Sequence, residues 1–485
     1  MRTVVIDPIT RLEGHGKISI FMNDDGNVEK ALFQVPELRG FEAFTQGRPA
    51  VEMPQITSRI CGVCPTTHHM ASTKALDALY RVDPPPAAKA IRELVNCAFI
   101  AEDHALHFYI LAGADFVVGP DAPAALRNIL GVIAKVGAEN GAYVIEMRKK
   151  IRRIIELCAG KPVHPVFGLP GGVSKRVTEE MRREFQQTAK EAVEFAKFTL
   201  KLFHDVVLGN PEYTALITGD VYYHETHHMG MVDKNGKVNL YDGEIRVVDP
   251  TGRPVVQYKP EDYHKVIGEH VEDWTYLKFP FLRSKGWNGF VDGPDSGVYR
   301  VAPLARLNVS DGMATPMAQK EYEKMYSTLG GPVSNHTLAN HWARLIELLY
   351  CAERMVELSN LPELTSNEIR NMKLLEPREG VGIVEAPRGT LIHHYQTDEK
   401  GIMTACNLIV ATVSNAAIIC MGIEKAAKML IKDGKVDEGL LNMVEMTFRS
   451  YDPCLSCATH ALGQTPLKIE LVEPDGGIRQ VITRR

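Results

Sequence analysis

Two cysteine pairs stand near opposite ends of the chain. The first lies in Arg59-Ile60-Cys61-Gly62-Val63-Cys64-Pro65-Thr66-Thr67-His68-His69, and the second in Asp452-Pro453-Cys454-Leu455-Ser456-Cys457-Ala458-Thr459-His460. Two residues between cysteines let both thiolates face one metal ion, because the chain needs to loop only once. Four soft thiolates suit nickel, iron or zinc alike, so the ligand type does not choose the metal. A structural zinc site is the plain alternative. Zinc ribbons, however, bring their second pair about 15–20 residues after the first, and here nearly the whole chain lies between the pairs. A redox dithiol would account for one pair, not for two flanked by histidines and acids.

The elements that carry these pairs must bring the two chain ends together. Pro65 suits the first turn of a helix expected to run through Met70 to Tyr80, which puts Cys64 at a helix N-terminus where the dipole favours the thiolate. Residues 1–33 alternate apolar and polar side chains around a turn at Asp24-Asp25-Gly26 and read as a β-hairpin region. Residues 65–208 are largely helical in pattern, with three- and four-residue apolar spacing over 87–112 and a long amphipathic run over 177–208. Residues 213–258 switch to strands, with turns at Lys234-Asn235-Gly236, Asp242-Gly243 and Asp249-Pro250-Thr251-Gly252. Helix is expected again over 339–358 and 408–431, and a hairpin around Pro474-Asp475-Gly476-Gly477.

Composition bounds the rest. The 485 residues carry a formal charge of −5, with 45% hydrophobic and 24% charged residues. Length alone suggests two to three domains, and the charge leaves no basic footprint for nucleic acid. Residues 1–6 are too short for a signal peptide. The one uncharged stretch, 401–423, includes Asn407, Ser414 and Asn415 and reads as buried core rather than a membrane span. Nine cysteines, an odd number in a long chain, argue against a disulfide framework and for a reducing compartment. Cys97, Cys158, Cys351, Cys406 and Cys420 sit singly among apolar neighbours and read as core. His224-Glu225-Thr226-His227-His228 matches a zinc-protease pattern, but that mechanism needs a helix; the surrounding residues read as strand and turn, and the histidines as loop anchors.

The flanks of the cysteine pairs carry a resemblance. The opening Asp7-Pro8-Ile9-Thr10-Arg11-Leu12-Glu13-Gly14-His15, then Arg39-Gly40-Phe41-Glu42, the first pair with His68, Glu385-Ala386-Pro387-Arg388-Gly389, and the second pair with His460 follow one another in the order of nickel–iron hydrogenase large subunits, which the whole chain resembles. The resemblance implies terminal nickel ligands at Cys61 and Cys454. Cys64 and Cys457 would bridge nickel to an iron that carries carbon monoxide and cyanide. It implies a proton relay at Glu13, Arg388 over the metals held by Asp103 and Asp452, Thr412 on a cyanide ligand, and His68 on a bridging thiolate. A magnesium ion is implied at Glu42 and His460, with a backbone carbonyl near Leu408. It further implies an iron–sulfur small subunit, other electron-transfer subunits, nickel-insertion chaperones, and a maturation protease that removes 461–485 after His460. The groups it resembles most are cytoplasmic multi-subunit enzymes, either viologen-reducing and linked to heterodisulfide reductase, or NAD-reducing.

The chemistry is coherent without the resemblance. Splitting dihydrogen needs a Lewis acid beside a base in a water-poor pocket, and a buried carboxylic acid such as Glu13 can pass the proton on. The expected architecture is an α+β, helix-rich fold with long central helices and peripheral β-hairpins, its ends converging on a buried bimetallic centre. It forms one unit: a β-rich part over 1–60, a helical part over 61–208, a β-rich insertion over 209–310, a helical part over 311–460, and the 461–485 extension. Two rivals remain at this point: a structural zinc scaffold, and a respiratory-complex relative that lost its metals.

Overall fold

Helix Asn340–Ser359 is buried on almost every side, as a helix must be when it forms the axis of a bundle. It packs against the helices Glu179–Phe203 and Pro86–Leu106, and the latter against Ala138–Ala159. Local signals start these helices where the sequence places them. Thr178 accepts the Met181 N–H at 3.2 Å as an N-cap, and Pro86 opens its helix at the first turn. The Pro86–Leu106 helix runs on through a π-helical turn at His107–Ala112. The computed structural model describes residues 2–460, 467–472 and 477–484.

Small, mostly antiparallel sheets surround this bundle. Arg2–Ile6, Lys17–Met22 and Val28–Gln34 form a meander at the N-terminus. Glu379–Ala386, Gly389–Thr397 and Met403–Ile409 form a second one, laid against helix Pro65–Leu79. Gly382 permits that contact: a Cβ there would lie 2.1 Å from the Ala71 carbonyl oxygen and 2.3 Å from the Ala75 nitrogen. The strands His227–Val232, Glu244–Val248, Pro254–Tyr258 and Tyr299–Arg300 make a third sheet. The tail strands Leu467–Val472 and Ile478–Arg484 pair antiparallel, as the hairpin reading expected; the turn residues 474–476 lie outside the described residues.

Two expectations fail. Residues 213–218 are helical, within Pro211–Thr218, because Asn210 caps the Glu212 N–H at 2.9 Å and Pro211 takes the first turn. Residues 408 and 409 end the strand Met403–Ile409 instead of starting a helix, because that strand completes the edge of the sheet beside Gly389–Thr397; helix begins at Ala411–Ser414 and continues over Ala416–Leu430. The uncharged 401–423 stretch is thus split between strand and helix. Among the described residues, no helix is long and apolar enough to cross a membrane.

Candidate metal centre

The two cysteine loops meet in the interior. Cys64 is the N-cap of helix Pro65–Leu79. The second loop follows helix Glu438–Tyr451, whose last turn is closed by Asp452 in the left-handed conformation at φ 53°. A residue before proline is disfavoured in the helical region, and aspartate tolerates the left-handed one, so the dipeptide Asp452-Pro453 turns the chain inward. The four Sγ atoms then lie within 4.8 Å of one another, all buried. Cys61 is 3.1 Å and Cys64 4.0 Å from Cys454, while Cys457 is 3.0 Å from Cys64 and 2.7 Å from Cys454.

The hydrogen bond from Cys454 helps hold the Cys61 thiol well below its usual range. Cys64 lies at about 11, its bonds to Cys454 and Cys457 outweighed by Cys61 and by burial. Burial pushes Cys454 and Cys457 well up. Four thiolates this close in a dry interior need cationic compensation, and metal binding would displace the remaining protons. The donor set and its geometry fit a thiolate-bound metal.

The N-terminal segment closes one side. The Glu13 carbonyl accepts the Leu455 N–H at 2.9 Å. Its carboxylate Oε2 takes the Cys454 thiol at 3.0 Å and the Ser456 N–H at 3.1 Å. Gly14, at φ +87°, lets this segment approach, since a Cβ there would be 2.9 Å from the Leu455 Cβ. Thr412 Oγ1 accepts the Cys454 N–H at 3.0 Å, which leaves its own hydroxyl proton to donate. Arg39, to which the sequence pattern assigns no role, donates to the Ile60 carbonyl and, at 3.2 Å, to that of Ser456. It therefore ties the two cysteine loops together.

Arg388 closes another side. Ala386 pairs with Gly389, so Pro387 and Arg388 form a two-residue hairpin turn. The buried guanidinium donates from Nε to the Asp452 carbonyl at 2.7 Å, pairs with the Asp452 carboxylate at 2.9 Å, and reaches Asp103 at 3.4 Å. Burial works against its charge, but Asp103 and Asp452 outweigh that and raise it well above the usual value. Burial pushes Asp103 up to about 7 against the pull of Arg388, and Asp452 rises for the same reason. A second buried guanidinium, Arg344, faces this group and donates to the Ser450 and Asn340 carbonyls at 3.0 and 3.4 Å; burial lowers it to about 10.

His68 Nε2 lies 3.4 Å from Cys457 Sγ, and its Nδ1 lies 3.1 Å from His393 Nε2. His393 Nδ1 meets the Tyr395 hydroxyl at 2.7 Å, which meets Ser72 Oγ at 2.8 Å. Burial lowers His68 to about 4 and His393 well below its usual value, so both rings are neutral. Ser72, Tyr395, His393 and His68 thus form one hydrogen-bonded chain that ends on sulfur, with the Tyr395 hydroxyl donating to Ser72 Oγ. The expected magnesium residues also gather. Glu42 N–H donates to the His460 carbonyl at 3.2 Å, and Glu42 Oε1 accepts the Leu408 N–H at 2.8 Å and the Lys278 ammonium at 3.1 Å. Leu408 thus meets Glu42 through its N–H. Burial raises Glu42 despite Lys278. His460 Nε2 meets the Cys457 carbonyl, and its buried Nδ1 has no partner among the described residues, so a ligand atom remains there for a cation.

The zinc-protease pattern does not form a site: His227 starts a strand, and His224 pairs with Asp292 at 2.9 Å. Sequence reading missed Lys278, Arg344, His393 and Tyr395. Only the last two left a signal, since a strand period puts both on one face.

A family profile described as nickel-dependent hydrogenase matches residues 39–128 and 142–460, and one described as HoxL-like matches residues 3–38. The chain is 48% identical over 484 residues to an F420-non-reducing hydrogenase iron-sulfur subunit of Archaeoglobus profundus, covering 99% of each. It is 36% identical to the NAD-reducing hydrogenase HoxS subunit beta of Cupriavidus necator, covering 98% of each. A crystal structure of an NAD+-reducing nickel–iron hydrogenase in the dihydrogen-reduced state matches with a TM-score of 0.89 and 38% identity, over 95% of this chain and 100% of the other. With the thiol cluster, Glu13 and Arg388 placed as described, the chain belongs to the nickel-dependent hydrogenase family, as a large subunit of the nickel–iron kind.

Proposed function

We propose that this chain is the catalytic subunit of a cytoplasmic, heteromeric hydrogenase that cleaves and forms dihydrogen reversibly. The observation that carries the proposal is a four-thiol cluster with a carboxylate on one thiol and a guanidinium held nearby by two acids. Nickel bound with an iron carrying carbon monoxide and cyanide would supply the Lewis-acid and redox chemistry. Cys61 and Cys454 would hold nickel alone, and Cys64 and Cys457 would bridge to iron. The chain's own residues handle the proton. Cys454 passes it to Glu13 Oε2 over 3.0 Å. Arg388 keeps a fixed positive charge beside the thiols, oriented by Asp103 and Asp452, and Thr412 has a hydroxyl proton left for cyanide. His68 Nε2 would share a hydrogen bond with the Cys457 sulfur, 3.4 Å away. Magnesium is assigned to Glu42, His460 and the Leu408 carbonyl, supported by the unpartnered His460 Nδ1.

Electrons need another carrier, because the five remaining cysteines lie apart from the one thiol cluster among the described residues. We therefore infer a small subunit with iron–sulfur clusters, together with further electron-transfer subunits. The likeness to an F420-non-reducing and to an NAD-reducing hydrogenase supports the reading of a viologen-reducing or NAD-reducing assembly. Nickel-insertion chaperones and a maturation protease belong to the same reading. In it, 461–485 is cut away after His460, the residue at which the family match ends.

Elemental analysis of the purified complex tests the assignment. Equimolar nickel and iron with dihydrogen–deuterium exchange is the expected result; zinc alone points to a scaffold, and no metal to a respiratory-type relative. Alanine at Cys61, Cys64, Cys454 or Cys457 is expected to abolish nickel retention, and full nickel in any of the four would sink the assignment. Intact mass of the active enzyme tests the tail: a nickel-loaded, active chain ending at Arg485 refutes cleavage.

A further inference from the structure

One buried guanidinium outside the thiol cluster joins the element that carries Arg388 to the one that carries Asp103. Arg306 sits on helix Pro303–Val309 and is fully buried. Its Nε and Nη2 each reach one oxygen of Glu347 at 2.6 Å. Its Nη1 reaches the Glu385 carboxylate at 2.9 Å and the Ala386 carbonyl at 2.7 Å, and Nη2 the Pro387 carbonyl at 3.2 Å. Ala386 and Pro387 are the two residues before Arg388. On the far side, Glu347 Oε2 lies 2.9 Å from His104 Nε2, and His104 is the neighbour of Asp103. The Arg388 carbonyl is held separately by Asn415 Nδ2 at 3.0 Å.

The arrangement is more elaborate than stability requires. Buried ion pairs are often no more stable than apolar packing of the same volume, so an ionic triad in a core argues for a geometric task. Five fixed N–H groups in one plane suit that task; an ammonium cannot span Glu347 and both carbonyls.

We propose that Arg306 is a positioning residue for the hydrogenase reaction: it sets the spacing between Arg388 and Asp103, and so the place of the Arg388 guanidinium beside the thiols. The proposal rests on the function given above. Arg306 touches neither the thiols nor Arg388's side chain, so its effect must pass through the turn.

A double-mutant cycle on the purified complex tests this. Nickel and iron content, melting midpoint, kcat with an artificial acceptor and KM for dihydrogen are measured for wild type, Arg306→Lys, Arg388→Lys and the pair. Arg306→Lys is expected to keep both metals and to lower kcat about 30- to 100-fold, as a misplacement near 1 Å does. KM is expected to stay within about threefold, and the pair to be slower than Arg388→Lys alone by no more than about twofold, because the second change acts on a spacing already lost. Losses that multiply, or a loss of rate that follows a loss of metal, overturn the proposal. If Arg306→Lys yields no folded complex, Glu347→Gln takes its place in the cycle with the same criteria and an expected loss of about 10-fold. A wild-type complex without nickel or dihydrogen exchange overturns the functional reading and this inference with it; an active wild type with multiplying losses overturns this inference alone.

Discussion

Glu13 is held to the second cysteine loop twice, through its backbone carbonyl on Leu455 and its carboxylate on Ser456 and Cys454. Glu13→Gln separates holding from proton transfer, because the amide oxygen still accepts the Ser456 N–H but no longer carries a proton. We expect nickel and iron to be retained while dihydrogen–deuterium exchange falls at least about 100-fold, within the range for loss of a general acid or base. Exchange at the wild-type rate would remove Glu13 from the path. Arg388→Lys keeps the charge and loses the planar fork that meets Asp452 and Asp103, and turnover is expected to fall about 100-fold, as when a preorganised electrostatic group is lost. An unchanged rate would leave Arg388 a structural residue. Reactive residue types were legible in the sequence because cysteine spacing, Pro65 and the flanking acids carry their own chemistry. Their supports were not. Lys278 begins a strand, and Arg344 and Arg306 sit in helices, and a lone charge in either element reads as its solvent face until tertiary contacts bury it.

At the scale of elements, the strand Gly389–Thr397 shows how a simple period builds function. Alternation puts His393 and Tyr395 on the same face, toward helix Pro65–Leu79, where His68 and Ser72 lie one turn apart. The two elements thereby assemble a hydrogen-bonded chain of neutral groups ending on Cys457. Tyr395→Phe removes one hydroxyl and little volume. It is expected to lower turnover about 10-fold with nickel content unchanged, the lower end for partners of metal ligands; full turnover would show that His393 keeps its orientation unaided. The long helices were readable from their 3.6-residue period, and the structure starts them at Pro86 and after the Thr178 cap. The boundary at 408–410 was not, because an uncharged run gives no period to separate the strand Met403–Ile409 from the helix that follows, and only pairing with Gly389–Thr397 decides it. The helix Pro211–Thr218 had its start signal in Asn210-Pro211, and the strand-rich context that follows concealed it.

Across the whole molecule, the convergence of both chain ends on the helical core follows from where the cysteines stand, but the core's titration does not. The bundle buries histidines that stay neutral. Burial holds His69 and His104 at about 4 and His341 at about 3, against 6.5 when exposed, and His107, stacked on His341 at 5.6 Å, well below its usual value. These rings sit on the helices Pro65–Leu79, Pro86–Leu106 and Asn340–Ser359, and on the π-helical turn His107–Ala112 that continues the second of them, so global unfolding exposes all of them. The unfolded chain then binds more protons than the folded one below pH 6.5. Their contribution to stability is complete above pH 6.5 and is lost as the pH falls through 4, each ring adding about 1.4 kcal/mol per pH unit between those limits. The melting midpoint of the metal-loaded complex, measured by calorimetry at fixed ionic strength, is therefore expected to start falling near pH 6.5 and to steepen toward pH 5. Carboxylates differ among themselves: Asp103 and Glu385, raised by burial to about 7, bind protons in the folded state first and offset about two rings' share over the same window. The Glu347 carboxyl, held at about 2 where the attraction of Arg306 overcomes burial, adds its loss only below about pH 4.5. A midpoint that stays level from pH 6.5 to 5 would mean that these rings are charged or hydrated in the folded state. His341→Gln, which removes one such ring, should make the wild-type slope shallower by about one ring's share, and an unchanged slope would exclude His341 from the set.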